Sequence, residues 1–188
     1  MTKQNSNVVR LALITASLLL VPLLAMQFSS EVVWTVSDFV FAGTLIFGTG
    51  LLYQLAVRMT PDSTYRVAVG LSLATTFVLI WINGAVGIIG DSDVNMLYLL
   101  VPMVGIAGAL IAQFRPLGMA RALFAAAFTQ ALIPVIALLV REPDFSPGVV
   151  GVFVLNAVFV ALFVGSGLLF QRAARQQSSS VEDPQFQK

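Results

Sequence analysis

The chain has 188 residues, of which 58% are hydrophobic and only 10% charged, and its formal net charge is +1. Soluble domains carry roughly 25% charged residues, so this composition suits lipid as the main solvent, and a charge near zero leaves no field to attract nucleic acid. The absence of Cys and His removes disulfides, thiolate nucleophiles, Cys-ligated metals, imidazole-bound haem and the commonest general base near neutral pH.

A bilayer core about 30 Å thick needs roughly 20 consecutive apolar residues in a helix. The first such run is Val8–Met26, with Lys3 before it and Arg10 at its start. It is long for a signal-peptide core, and AMQFSS offers no A-x-A cleavage site, so it reads as a retained span. Trp34 follows, a ring suited to the membrane interface. The next runs are Phe39–Val57, Val67–Ile89, Met96–Phe114, Met119–Val140 and Val149–Phe170. Their apolar character is continuous rather than alternating, which excludes a porin-type barrel. Backbone groups in lipid must pair internally, so the runs predict helices. The expected architecture is all-α: one compact six-span bundle over residues 1–172. Residues 173–188, with QQSSS and EDP, read as a disordered cytoplasmic tail.

The connections predict an orientation. Lys3 and Arg10, Arg58 and Arg66, Arg115 and Arg121, and Arg172 and Arg175 mark every second side. The intervening loops carry Glu31 and Asp38, then Asp91 and Asp93. The fifth loop, REPDFSPG, is mixed. By the positive-inside rule both termini face the cytoplasm, in parity with six spans. A faint likeness between Gly50–Gln54–Arg58–Pro61–Arg66 and Gly108–Gln113–Arg115–Pro116–Arg121 has unequal spacings and reads as chance, since Arg and Pro are expected at any such turn.

Candidate sites concentrate in WINGAVGIIGDSDVN, residues 81–95. Gly84, Gly87 and Gly90 recur every third residue and predict a groove where another helix approaches closely, as small residues permit in membranes. Gly90 is also placed to cap the helix. DSDVN resembles the start of a calcium loop, but positions six and twelve are Met96 and Pro102, where Gly and Glu are needed. A looser cation site from Asp91, Asp93 and Asn95 stays open. Asn83, Gln130 and Asn156 lie within apolar runs. An amide facing lipid would leave its donors unpaired, so all three are expected to face the bundle interior. There they either bond other helices or line a polar cavity, the former being favoured. The small-residue surface of the fifth run, Ala120, Ala122, Ala125, Ala126, Ala127 and Ala131, reads as a packing face. Arg58, Arg66, Arg115 and Arg121 are candidates to meet anionic headgroups, although topology marking explains them as well.

No Asp, Glu, Lys or Arg lies mid-span, which weakens proton relays, voltage sensing and ion-coupled transport. There is no phosphate-binding Gly-Lys-Ser loop, no H-E-x-x-H and no nucleophile beside a base, so no enzyme, cofactor or metal role is expected. Two functional classes remain. The first is a membrane-embedded interaction or accessory protein, with the bilayer, a membrane-protein partner or a second copy as its neighbours. The second is a small permease or channel for a neutral or weakly polar solute.

At WINGAVGIIG with Asn95 and Tyr98, and at FRPLGMARALFAAAFTQAL, the chain resembles a group of uncharacterised multi-pass inner-membrane proteins of proteobacteria. The resemblance spans most of residues 38–140. It implies a bacterial inner-membrane location, and it carries over no activity and no functional residue.

Overall fold

The computed structural model describes residues 3–58, 60–89, 93–140 and 148–182. All of its regular elements are helical: α1 (Lys3–Phe28), α2 (Val36–Arg58), α3 (Ser63–Ala85), a 3-10 segment (Asp93–Leu99) that continues into α4 (Leu100–Ile111), α5 (Pro116–Val140) and α6 (Val149–Glu182). Counting the 3-10 segment with α4, six helices are long and apolar enough to cross a membrane. The chain divides into two compact units, Met1–Met59 and Thr60–Lys188, where the sequence pointed to one bundle.

In the first unit α1 and α2 pack as a pair. Gly50 sits against Leu11, where a Cβ would collide with the leucine side chain. Gln54 Nε2 donates to the Asn7 carbonyl at 3.4 Å. The start of α2 is fixed by its own sequence, Thr35-Val-Ser-Asp38. The Asp38 carboxylate accepts from the Thr35 amide at 2.7 Å, and Thr35 Oγ1 accepts from the Asp38 amide at 3.4 Å. This reciprocal capping box satisfies two otherwise orphaned amides and starts the helix three residues before the expected Phe39. Most of the pair's apolar surface stays exposed, including Leu13 at 63% and Val21 at 65%. A helix that is apolar all round suits lipid rather than water.

The second unit is built around α5. Its buried face is largely alanine: Ala120, Ala122, Ala126, Ala127 and Ala137. Small side chains let neighbouring backbones come close. Gly108 of α4 meets Ala122, and a Cβ on it would stand 2.5 Å from the alanine Cβ. Gly167 of α6 meets the Phe124 ring, and a Cβ there would stand 2.8 Å away. The Ser166 hydroxyl donates to the Ala68 carbonyl at 2.6 Å, pinning α6 to α3.

Several helix ends differ from expectation, each for a local reason. α3 spans Ser63–Ala85 rather than 67–89. Asp62 caps its start by accepting from the Thr64 amide at 2.8 Å. At its end Gly87 adopts φ 69° and its amide donates to the Asn83 carbonyl at 3.2 Å, the single bond of an αL cap. Ile88 and Ile89 therefore leave the helix, yet they stay buried at 2% and 4% exposure. Expected span four starts as a 3-10 segment, whose rise is larger. Seven such residues and twelve α residues cover about 32 Å, enough for the roughly 30 Å core.

α4 closes in a Schellman arrangement. The Phe114 amide donates to Ala109 O at 3.1 Å and the Gln113 amide to Leu110 O at 3.1 Å. The left-handed positions, usually given to Gly, are Gln113 (φ 50°) and Phe114 (φ 59°). The Tyr65 hydroxyl donates to the Phe114 carbonyl at 2.8 Å, and the Tyr65 ring stands edge-on to Phe170 at 4.9 Å. The start of α3, the α4–α5 turn and the far part of α6 thus meet at one end of this unit. α6 itself continues to Glu182, which corrects the expected disordered tail as far as that residue. Arg172-Ala-Ala-Arg-Gln-Gln177 contains good helix formers and no Gly or Pro to stop it.

Candidate functional site

Opposite the Tyr65 end, the second unit encloses a cluster of neutral polar side chains. Asn156 lies on α6 at 2% exposure and Gln130 on α5 at 0%. Gln130 Nε2 donates to Asn156 Oδ1 at 2.8 Å. The hydroxyl of Tyr98, buried at 1% exposure, donates to the same oxygen at 3.1 Å. Asn156 Nδ2 donates to Val152 O, one turn back on its own helix, at 2.8 Å. One amide oxygen therefore ties the 3-10 segment and α5 to α6, with both its lone pairs used.

A second set of bonds holds the α3–α4 connection. Asn95 Oδ1 accepts from the Ile88 and Ile89 amides, each at 3.0 Å. Its main-chain carbonyl accepts from Asn83 Nδ2 at 3.0 Å. Residues three apart eclipse on a 3-10 helix, so Asn95 and Tyr98 share one face of the segment. That face carries both sets of hydrogen bonds, one turn apart.

Two acceptors of these sets have no hydrogen-bond partner among the described residues. They are Gln130 Oε1 and Asn83 Oδ1, both buried atoms. Gln130 also sits four residues before Pro134 within α5. Proline has no N–H, so the Gln130 main-chain carbonyl lacks its ordinary helical donor.

The structure brings Gln130 and Asn156 together and adds Tyr98, which the sequence reading did not single out as a site residue. Asn83 is half-buried and bonds Asn95, so Asn83 and Asn156 are not partners. Of the glycines expected to form a packing groove, Gly84 is exposed and Gly87 lies in the left-handed turn beyond α3, while Gly108 and Gly167 make close contacts between helices of the second unit. Gly90 and Asp91 lie outside the described residues. The looser cation site loses Asn95, whose Oδ1 is committed to two amides, and Asp93 is exposed. Among the described residues no group of three or more His, Cys, Asp or Glu side chains is placed to hold a metal.

The fold and the cluster define a class: an all-helical protein with six helices apolar enough to cross a membrane and an uncharged polar network inside its second unit. No family model, curated protein or solved structure matches the chain.

Proposed function

We propose that the chain is a multi-pass protein of a bacterial inner membrane, with both termini cytoplasmic, that acts as a membrane-embedded interaction or accessory protein. The observation that carries this reading is the length of α6. Its 34 residues extend about 51 Å, against an apolar core of about 30 Å. Roughly 20 Å of helix is then left to stand beyond the bilayer. Arg172, Arg175, Gln176, Gln177, Ser178 and Ser179 are exposed on it, a rigid polar surface that a partner can grip. Arg66, Arg115 and Arg121 gather at the same end of the unit, as the positive-inside rule asks of a cytoplasmic face. The Gln130–Asn156–Tyr98 bonds serve this reading as interhelical fasteners, for which the lack of charge is no handicap.

A photo-crosslinking residue at Ser178 should yield one discrete adduct in intact cells, while the purified protein in proteoliposomes passes no neutral solute. Selective flux of a neutral solute without such an adduct would favour a second reading, a small permease or channel for neutral or weakly polar solutes. The unpartnered oxygens of Gln130 and Asn83 are the observation on its side.

A further inference from the structure

An acceptor buried without a donor is costly, and more so where water is scarce. Gln130 Oε1 is such an acceptor in a side chain with no exposed surface. Turning the amide over would not help, because it would set Oε1 against Asn156 Oδ1, itself an acceptor that takes the Tyr98 hydroxyl and has no proton to give. Asn83 Oδ1 is a second unpartnered acceptor among the described residues, on a half-buried side chain nearer the α3–α4 loop. The two amides belong to neighbouring sets of bonds, linked by Asn95 and Tyr98 on one face of the 3-10 segment. Both unused oxygens call for the same chemistry, an N–H or O–H that the described residues do not supply.

From these groups we infer that Asn83 and Gln130 are the outer and inner acceptors of an occluded binding site for a small, neutral hydrogen-bond donor of the amide or alcohol class. The ligand is neutral because no ionised side chain stands among the described residues of the cluster, and burial of an unpaired charge in an apolar interior is prohibitive. A bare cation would have to exchange its hydration shell for a ring of oxygens, and two acceptors do not form one. The site is closed in this conformation. Pro134 supplies the means to open it, since α5 lacks a rung of its ladder between Gln130 and Pro134 and bends most easily there. The inference concerns binding and goes beyond both functional readings, since it holds whether or not the solute crosses the membrane.

Acetamide, which donates through its NH2, and N,N-dimethylacetamide, which has no donor, separate this proposal from general solvent effects. With the full chain in lipid nanodiscs, acetamide should raise the melting temperature in a saturable way and dimethylacetamide should not. Gln130→Met, which keeps the volume and removes the acceptor, should raise the half-saturating acetamide concentration about ten-fold, as the loss of one hydrogen bond implies. If that variant does not fold, Asn83→Ala at the half-buried position decides by the same readout. Equal responses to both amides, or an unchanged response in the variants, would overturn the proposal. So would strong magnetisation transfer from water to the Gln130 side-chain carbonyl, by solid-state NMR, with no response to acetamide. That result would mean a structural water satisfies the oxygen.

Discussion

Gln130 and Asn156 are bonded side chain to side chain across α5 and α6 at 2.8 Å, and the Tyr98 hydroxyl shares the accepting oxygen. Removing Asn156 alone leaves two buried donors without their acceptor. Asn156→Leu should therefore destabilise the protein by about 1–3 kcal/mol, the range for stranded buried groups. Gln130→Leu combined with Asn156→Leu should cost less than the sum of the single changes, with a coupling on the order of 0.6–1.7 kcal/mol, as for other interhelical bonds in membranes. Asn83→Leu with Asn156→Leu should be additive. Thermal unfolding in detergent across both cycles reads these couplings. An additive Gln130–Asn156 cycle would mean that the bond does not hold the helices.

The close approaches at Gly108 and Gly167 predict a different kind of sensitivity. Gly108→Val and Gly167→Val should each overfill a packed contact at a cost of about 1–3 kcal/mol. Gly84→Ala should be tolerated, because Gly84 is exposed and alanine is the better helix former. Gly87→Ala should cost on the order of 1–2 kcal/mol through its left-handed backbone. Melting temperatures rank the four variants, and a Gly108 variant as stable as the parent would place that face outside the packed interior.

Strain at the α4–α5 turn predicts a gain. Gln113 holds φ 50° in the position that glycine normally takes. Gln113→Gly should stabilise the turn by up to about 1 kcal/mol. Tyr65→Phe should do the opposite by about 0.5–1.5 kcal/mol, since the Phe114 carbonyl loses its donor. A drop in melting temperature for Gln113→Gly would show that the glutamine side chain has a role at the turn that outweighs the relief.

The six apolar runs were legible because continuous hydropathy needs no knowledge of partners, and all six fall on helices. The early start of α2 was also written locally, in Thr35-Val-Ser-Asp38, although charge counting alone treats Asp38 as a loop residue. The end of α3 was misread because Ile88 and Ile89 look like more span. Their burial comes from the tertiary fold, and their amides are captured by Asn95 from six and seven residues away. The cluster itself was half legible. Burial cost points Gln130 and Asn156 inward, but the choice of partner does not follow from spacing when the bonded residues are 26 and 58 apart. Tyr98 gave no signal, since an aromatic residue in an apolar run is ordinarily core. The helical continuation to Glu182 was available from propensity and was overridden by polarity.

The central claim is that the ends of the chain and the Arg-bearing turns share the cytoplasmic side, with α6 projecting there. The chain has no Cys, so single cysteines introduced at Glu31, Asp93, Leu117 and Ser178 provide a clean background for labelling. A membrane-impermeant maleimide applied to intact spheroplasts should label positions 31 and 93 only. Applied to inverted vesicles, it should label 117 and 178 only. Labelling of 178 from the same side as 93 would contradict the topology and, with it, the reading of α6 as a cytoplasmic surface.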